Sequence, residues 1–213
     1  MVIGRSQSVE HEVDLDACKK HGTSIVRRFT GGGAVYQDTE NLNFAISLCK
    51  DKKPLGITAF YETVAAAVVR ALGYFGPKVE IKQGNCLLIN GKKISGLAGA
   101  LKSSMQFCHG TLLVNTNLTV MSEVLHPRCE KAERYAYVRS NVTDVTTLRK
   151  ELGREIPVSE VKEVVLKTFE ETYHTTLAPG ELTEYEKQLA RKLYARKYST
   201  YEWNFKSAYF KHI

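Results

Sequence analysis

The stretch Val26-Arg27-Arg28-Phe29-Thr30-Gly31-Gly32-Gly33-Ala34-Val35-Tyr36 constrains the chain more than any other. An apolar run closes on two arginines, three glycines follow, and a second apolar run begins. Three consecutive residues without Cβ let the backbone turn through φ > 0 and come close to a ligand. Several N–H groups can then point into one concavity, which suits an anion. Two adjacent guanidinium groups add donors shaped for phosphate or carboxylate. Read locally, the stretch is a loop between two strands. It is either a cradle for a small anionic ligand or a flexible hairpin loop carrying surface arginines.

The rest of the chain supplies alternating and helical patterns around this loop. Val2-Ile3 reads as the end of a strand, and Asp14 as the cap of a short helix that Gly22 stops. Ser24 to Arg28, Ala34 to Gln37 and Leu42 to Leu48 read as strands, the last two joined by the polar turn at residues 38–41. Ile57 to Leu72 is the clearest amphipathic helix, with Phe60, Val64, Ala67, Val68, Ala71 and Leu72 on one face. Strands follow at Val79–Lys82 and Cys86–Ile89, and Asn90-Gly91 is a hairpin signal. The return strand is Lys92–Ala98, and Gln106–Val114 is another. Helices are expected over Leu118–Leu125, Thr143–Gly153, Ser159–Tyr173 and, from a capping box at Thr183, to about Tyr198. A strand-rich first part and a helix-rich last part predict an α+β fold, helices packed on a mixed or antiparallel sheet in a single domain.

Composition narrows the function classes. A formal net charge of +7 favours an acidic partner or an anionic substrate. The basic residues form no long block and do not interleave with aromatics in a recognisable module, which disfavours nucleic acid. No run approaches the apolar length of a membrane span. The five cysteines, at 18, 49, 86, 108 and 129, form no C-x-x-C pair. That spacing suggests neither a zinc site nor a disulfide framework, and a reducing cytosol is the simplest location.

Two further stretches carry candidate chemistry. Residues 85–100 place Lys92 and Lys93 in a strand, followed by small residues at 95, 96, 98, 99 and 100 that let something lie flat on the sheet. By alternation the two lysines face opposite ways. An ammonium fixed beside a phosphate would stabilise charge on a leaving group. Two surface lysines in a hairpin are the plainer reading. In Phe107-Cys108-His109-Gly110-Thr111, Gly110 permits close approach beside His109, although a lone strand histidine is more often structural. The glycine run is followed by neither Lys-Ser nor Lys-Thr, and a strand-like segment succeeds it. That excludes a Walker A loop and a dinucleotide fingerprint. No nucleophile-elbow motif or metal-ligand spacing is present.

Taken together, these stretches resemble the lipoate-protein ligase A family of the biotin/lipoate ligase superfamily. The resemblance runs through Val2-Ile3-Gly4-Arg5 with Gln7, Arg27-Arg28, Gly31 to Tyr36, Asp38, and Asn41-Leu42-Asn43-Phe44. It continues through Lys93-Ile94-Ser95-Gly96 with Ala98, His109 to Leu113, Asn141-Val142-Thr143, and Tyr198 to Asn204. It implies a catalytic domain that binds lipoyl-adenylate, using ATP, Mg²⁺ and lipoate. It implies that Lys93 is the essential lysine, touching carbonyl and phosphate oxygens. Arg28, Gly31, Gly32, Gly33, Ala34 and Val35 would line the acyl-adenylate site. Asn85, Gly96, Ala98, His109, Gly110 and Thr111 would complete it. No residue set is assigned to a metal. The implied acceptors are acidic lipoyl-domain proteins, such as 2-oxoacid dehydrogenase acyltransferase subunits and the glycine cleavage H protein.

The chain departs from the family pattern at four points. Members normally carry a helix and a strand ahead of the Val-Ile-Gly-Arg segment. Long bacterial members carry a C-terminal accessory domain, and some short archaeal members rely instead on a separate small partner. Cys86 stands where an aspartate often follows the asparagine. Gln37 stands where a histidine is common. Three readings fit this pattern: an acyl-adenylate-dependent ligase or lipoyltransferase, an ATP-independent octanoyl- or lipoyl-transferase working through a cysteine thioester, and a non-catalytic lipoyl-domain-binding subunit.

Overall fold

The structure is a computed structural model and describes residues 1–49, 56–101, 105–127 and 138–206. In chain order its elements are β1 (Val2–Ile3), α1 (Val9–Glu12), α2 (Leu15–Lys20), β2 (Val26–Arg27), β3 (Asn41–Cys49), α3 (Ile57–Gly73), β4 (Glu80–Lys82), β5 (Cys86–Ile89), β6 (Lys92–Leu101), β7 (Met105–Leu113), α4 (Leu118–Val124), α5 (Leu148–Leu152), α6 (Val158–Tyr173) and α7 (Glu184–Leu193), followed by two π-helical turns, Tyr194–Tyr198 and Glu202–Lys206. The α+β class expected from the sequence is what forms. The chain divides into two compact units that interleave along the sequence. One comprises Met1–Tyr36, Thr119–Val142 and Ala178–Ile213, the other Gln37–Leu118 and Thr143–Leu177.

The second unit is built on a five-stranded antiparallel sheet in the order β3-β7-β6-β5-β4. One face packs on α3 and α6. Phe60, Val64, Ala67, Val68, Ala71 and Leu72 of α3 are all fully buried, as the helical spacing predicts, and Val161, Val165 and Phe169 join them from α6. The sheet answers with Leu87, Ile94, Leu97, Cys108 and Leu112. Each large side chain so buried contributes about 2 kcal/mol relative to exposure. Gly110 sits on this packed face. A Cβ there would lie 2.5 Å from Phe44 Cζ and 2.6 Å from Leu97 Cδ2.

The first unit is smaller. Short β1 and β2 pair in parallel, Val2 with Val26 and Ile3 with Arg27. Asp14 caps α2, its carboxylate accepting from the Ala17 amide at 2.8 Å, as expected. The C-terminal turns are tied to β2: Trp203 Nε1 donates to the Arg27 carbonyl at 2.8 Å, and Asn204 Oδ1 accepts from the Arg27 amide at 2.8 Å.

Three local expectations are corrected. Residues 34–37 do not form a strand. Only Val35 bridges, to Val2, because the neighbouring Ala34 amide is taken by the Ser140 side chain. The expected helix 143–153 is confined to α5. Residues 144–146 instead run beside β6, with Lys93 donating to Asp144 O at 2.8 Å and Thr146 donating to Lys93 O at 2.9 Å. The expected helix from Thr183 keeps its capping box and its length, but its last turn widens to π spacing at Tyr194–Tyr198. Two short helical segments, Val9–Glu12 and Glu202–Lys206, had no signal in the sequence. Cys129 lies outside the described residues.

Gly110→Ala is expected to lower unfolding free energy by about 1–3 kcal/mol through overpacking between Phe44 and Leu97. Urea denaturation checks this, and an unchanged midpoint would show that the sheet face yields.

Candidate functional site

One extra residue in β6 sets the geometry of the second unit's open face. Lys93 pairs with Leu88 and Ser95 with Leu87, so Ile94 is unpaired and bulges. Ile94 is fully buried and belongs to the core on the packed face. The bulge lets Lys93 and Gly96, three residues apart, share the opposite face. Strict alternation would have separated them.

On that open face the strands place several candidates side by side. Gly96 pairs across to Thr111 and Ala98 to His109. Cys86 pairs with Gly96 from the other side. The Lys93 side chain folds back over Gly96: a Cβ at that position would lie 2.9 Å from Lys93 Cε and 3.0 Å from Nζ. Any side chain at 96 would therefore displace the ammonium. Among the described residues Lys93 forms no ion pair with a carboxylate. Asn85 sits at the start of β5, its Nδ2 donating to Leu97 O at 3.4 Å. His109 lies against Phe107, ring centroids 5.6 Å apart.

Beyond Thr111 the face ends in a polar network that sequence reasoning did not place. Gln37 Nε2 donates to Asn43 Oδ1 and to Thr111 Oγ1, each at 3.0 Å, and the Thr111 hydroxyl donates to Asn43 Oδ1 at 2.8 Å. Gln37 is thus a donor that fixes the Thr111 rotamer. Gly110 is not on this face. Its missing side chain serves the core.

The glycine loop belongs to the first unit, and its two arginines divide the work there. Arg27 is 2% exposed. Its guanidinium donates to the carbonyls of Gly4 at 2.8 Å, Gln7 at 2.7 Å, Trp203 at 3.0 Å and Asn204 at 3.1 Å. Burial pulls it below the usual arginine range. Arg28 turns onto the loop itself, donating to Gly31 O at 2.6 Å, Gly33 O at 2.8 Å and Val2 O at 3.2 Å. Burial lowers it to about 10, so it keeps its charge at neutral pH. The three glycines have different reasons. Gly32 has φ 89°, which favours glycine. Gly33 lies against Ser140, whose Oγ would be 2.9 Å from an added Cβ. Gly31 faces open space. The loop also needs Gly4, where a Cβ would fall 2.0 Å from the Gly32 carbonyl oxygen.

Of the buried thiols, burial pushes Cys108 up to about 12 and raises Cys18, so both are inert. Cys86 is the half-buried thiol beside Gly96. An open apolar groove of about 440 Å³ runs along the free edge of β3 between Phe44, Ile46, Phe169 and Leu177. None of Lys93, His109 and Thr111 lines it.

The second unit thus lays a lysine over a glycine on one sheet face, and the first unit carries a glycine loop met by an arginine. Residues 1–170 match the family described as the lipoyl protein ligase A/B catalytic domain, and the chain belongs to that family. It is 35% identical to "Lipoate-protein ligase A subunit 1" of Thermoplasma acidophilum, over 96% of this chain and 80% of that protein. It is 30% identical to "Lipoate–protein ligase 1" of Staphylococcus aureus, again over 96% of this chain but 61% of that one. A 28% match to "Octanoyltransferase LipM" of Geobacillus kaustophilus covers 96% and 82%. Among solved structures, the T. acidophilum ligase with bound lipoic acid superposes with a TM-score of 0.81 at 32% identity, covering 96% of this chain and 81% of that one. A structure described as a bi-partite lipoate protein ligase with its E2 lipoyl domain, from the same organism, gives 0.83 at 32% identity, covering 100% and 82%. A lipoate-protein ligase A bound with ATP gives 0.82 at 32% identity, covering 96% and 81%.

The contrast between the arginines is testable. Arg27→Met leaves interior carbonyls without donors and is expected to cost about 3 kcal/mol or more in urea unfolding. Arg28→Met, half-buried against the loop, is expected to cost less than half of that. Equal losses would show that the two share one structural role.

Proposed function

We propose that this chain attaches lipoate to a lysine of an acceptor lipoyl domain through lipoyl-AMP. The observation that carries this reading is the Lys93 ammonium, held over Gly96 without a carboxylate partner among the described residues. Its positive charge is left available for oxygens of an acyl-phosphate. The glycine loop, with Gly31 open and Arg28 at its rim, binds the acyl-adenylate by backbone amides and charge. Asn85, Gly96, Ala98, His109 and Thr111 line the face on which Lys93 acts.

In the first step a lipoate carboxylate oxygen attacks the α-phosphorus of ATP, and the bond to pyrophosphate breaks. This chemistry demands positioning and charge neutralisation more than acid–base groups, which is what Lys93 offers. In the second step a neutral acceptor lysine amine attacks the carbonyl carbon. The C–N bond forms, the C–O bond to AMP breaks, and the surplus amine proton passes to solvent. Lys93 stabilises the carbonyl oxyanion and the departing phosphate. Among the described residues no three His, Cys, Asp or Glu side chains are grouped to hold a metal. Mg²⁺ would accompany the nucleotide phosphates and neutralise their charge, and no step is routed through it.

The net charge of +7 suits docking of acidic lipoyl domains. A separate accessory subunit, as in the bi-partite relative, suits α7, none of whose residues is buried although Tyr185, Leu189 and Leu193 lie along one side of it. Alone, the chain is expected to transfer from supplied lipoyl-AMP and to activate free lipoate poorly. The unpaired cysteines among the described residues suit the cytoplasm.

A second reading has its own observation. Cys86 shares the open face with Lys93 and pairs directly with Gly96. Octanoyl transfer through a Cys86 thioester, without ATP, is the chemistry that position would allow. One set of assays separates the two. Lys93→Ala is expected to reduce transfer from lipoyl-AMP to an acceptor domain at least about 100-fold with an unchanged thermal midpoint. Cys86→Ser is expected to retain it. Transfer from an octanoyl-carrier protein without nucleotide, abolished by Cys86→Ser and accompanied by an acyl adduct on that residue, would replace the adenylate reading.

A further inference from the structure

We propose that Ser140 is a positioning residue for the glycine loop, a role that rests on the reading that the loop binds lipoyl-AMP. Ser140 is 106 residues away in sequence from Ala34, yet its side-chain oxygen accepts the Ala34 amide at 2.9 Å. The same oxygen accepts from Gln7 Nε2 at 3.0 Å. Gln7 is fully buried, and its Oε1 in turn accepts from the Gly4 amide at 2.9 Å. The Ser140 amide donates to both carboxylate oxygens of Glu12, at 3.1 and 3.2 Å, and Glu12 is itself fully buried. Two residues upstream, the Val138 amide donates to Ser6 O at 2.8 Å. Ser140 is thus clamped through its main chain by a buried carboxylate, while its hydroxyl oxygen spends both lone pairs on the loop and on the Gly4–Gln7 turn.

The loop is shaped around this contact. Gly33 sits where a Cβ would meet Ser140 Oγ at 2.9 Å and Cβ at 3.3 Å. Gly4 sits where a Cβ would meet the Gly32 carbonyl oxygen at 2.0 Å. Both sides of the Gly31–Gly33 stretch are therefore pressed against groups that Ser140 fixes, one directly and one through Gln7. Without the hydroxyl the Ala34 amide loses its acceptor and residues 31–34 lose their common anchor. A loop that must present several N–H groups at once binds an anion well only if its conformation is already set. The predicted signature is weakened ligand binding with the chemical step intact, because Ser140 touches the loop and not the reacting atoms.

The test uses the full chain with lipoyl-AMP as the probe. Amide hydrogen exchange by NMR reads the loop, titration calorimetry reads affinity, and single-turnover transfer at saturating lipoyl-AMP reads chemistry. Ser140→Ala is expected to speed Ala34 exchange about tenfold and to weaken lipoyl-AMP binding about tenfold, with the saturated transfer rate unchanged. Ser140→Thr, which keeps the oxygen, is expected to restore most of both. Gln7→Met, which removes the second donor and the Gly4 acceptor, is expected to weaken binding in the same sense. The proposal fails if Ser140→Ala leaves Ala34 exchange or affinity unchanged, if it lowers the saturated rate while affinity holds, or if the threonine variant behaves as the alanine one. A wild-type chain that does not bind lipoyl-AMP sinks the functional reading itself, an outcome distinct from equal binding by wild type and Ser140→Ala.

Discussion

The bulge at Ile94 is the constraint on which the second unit's chemistry depends. A strand that alternated without interruption would put Lys93 and Gly96 on opposite faces, one toward α3 and one away from it. The inserted residue lets Ile94 go into the core while Lys93 stays on the open face with Gly96, Ala98, His109 and Thr111. One local irregularity thus reconciles a hydrophobic core with a row of small and polar residues that a flat ligand can lie against. The backbone of Lys93 is held from the other side as well, by Asp144 O and the Thr146 amide. The lysine is therefore fixed at its main chain by two segments, and its ammonium end is free of a competing carboxylate among the described residues.

The first unit solves a different problem by the same economy. Short strands and a glycine loop leave many carbonyls without strand partners. Arg27 and Arg28 supply the missing donors, Arg27 inside and Arg28 at the rim. The buried Arg27 guanidinium, with no carboxylate partner among the described residues, is tolerable because carbonyl oxygens meet each of its nitrogens. The planar fork with five N–H groups reaches several of them at once, which a lysine could not do. The adjacent arginines that suggested an anion site are thus first of all structural. Only Arg28 stands where a ligand could draw it away from Gly31 and Gly33.

Much of this was legible in the sequence where the signal is local or periodic. The face of α3, the Asn90-Gly91 turn with both residues at positive φ, the Asp14 cap and the Thr183 capping box all follow from spacing and side-chain chemistry. The partners across the chain were not legible. Nothing near Ser140 announces that it meets Ala34, and nothing near Gln37 announces that it meets Thr111. Such contacts depend on the register of distant segments, which a single sequence does not encode locally. Gly110 illustrates the converse. Its position beside His109 suggested a ligand approach, whereas adjacent strand residues face opposite ways and Gly110 faces Phe44 and Leu97.

The placement of Cys86 sharpens what distinguishes the two chemistries open to this family. An aspartate at that position would set a negative charge on the same face as Lys93, able to pair with the ammonium or to hold a metal-bound phosphate. A cysteine there supplies no such carboxylate. The open face is left with the Lys93 cation, neutral polar groups from Asn85, Thr111, Asn43 and Gln37, and small residues at 96 and 98. On the proposed reading, that balance would suit an anionic acyl-phosphate, whose oxygens the single ammonium can meet. On that reading, transfer from a preformed adenylate would be the step that this face matches best.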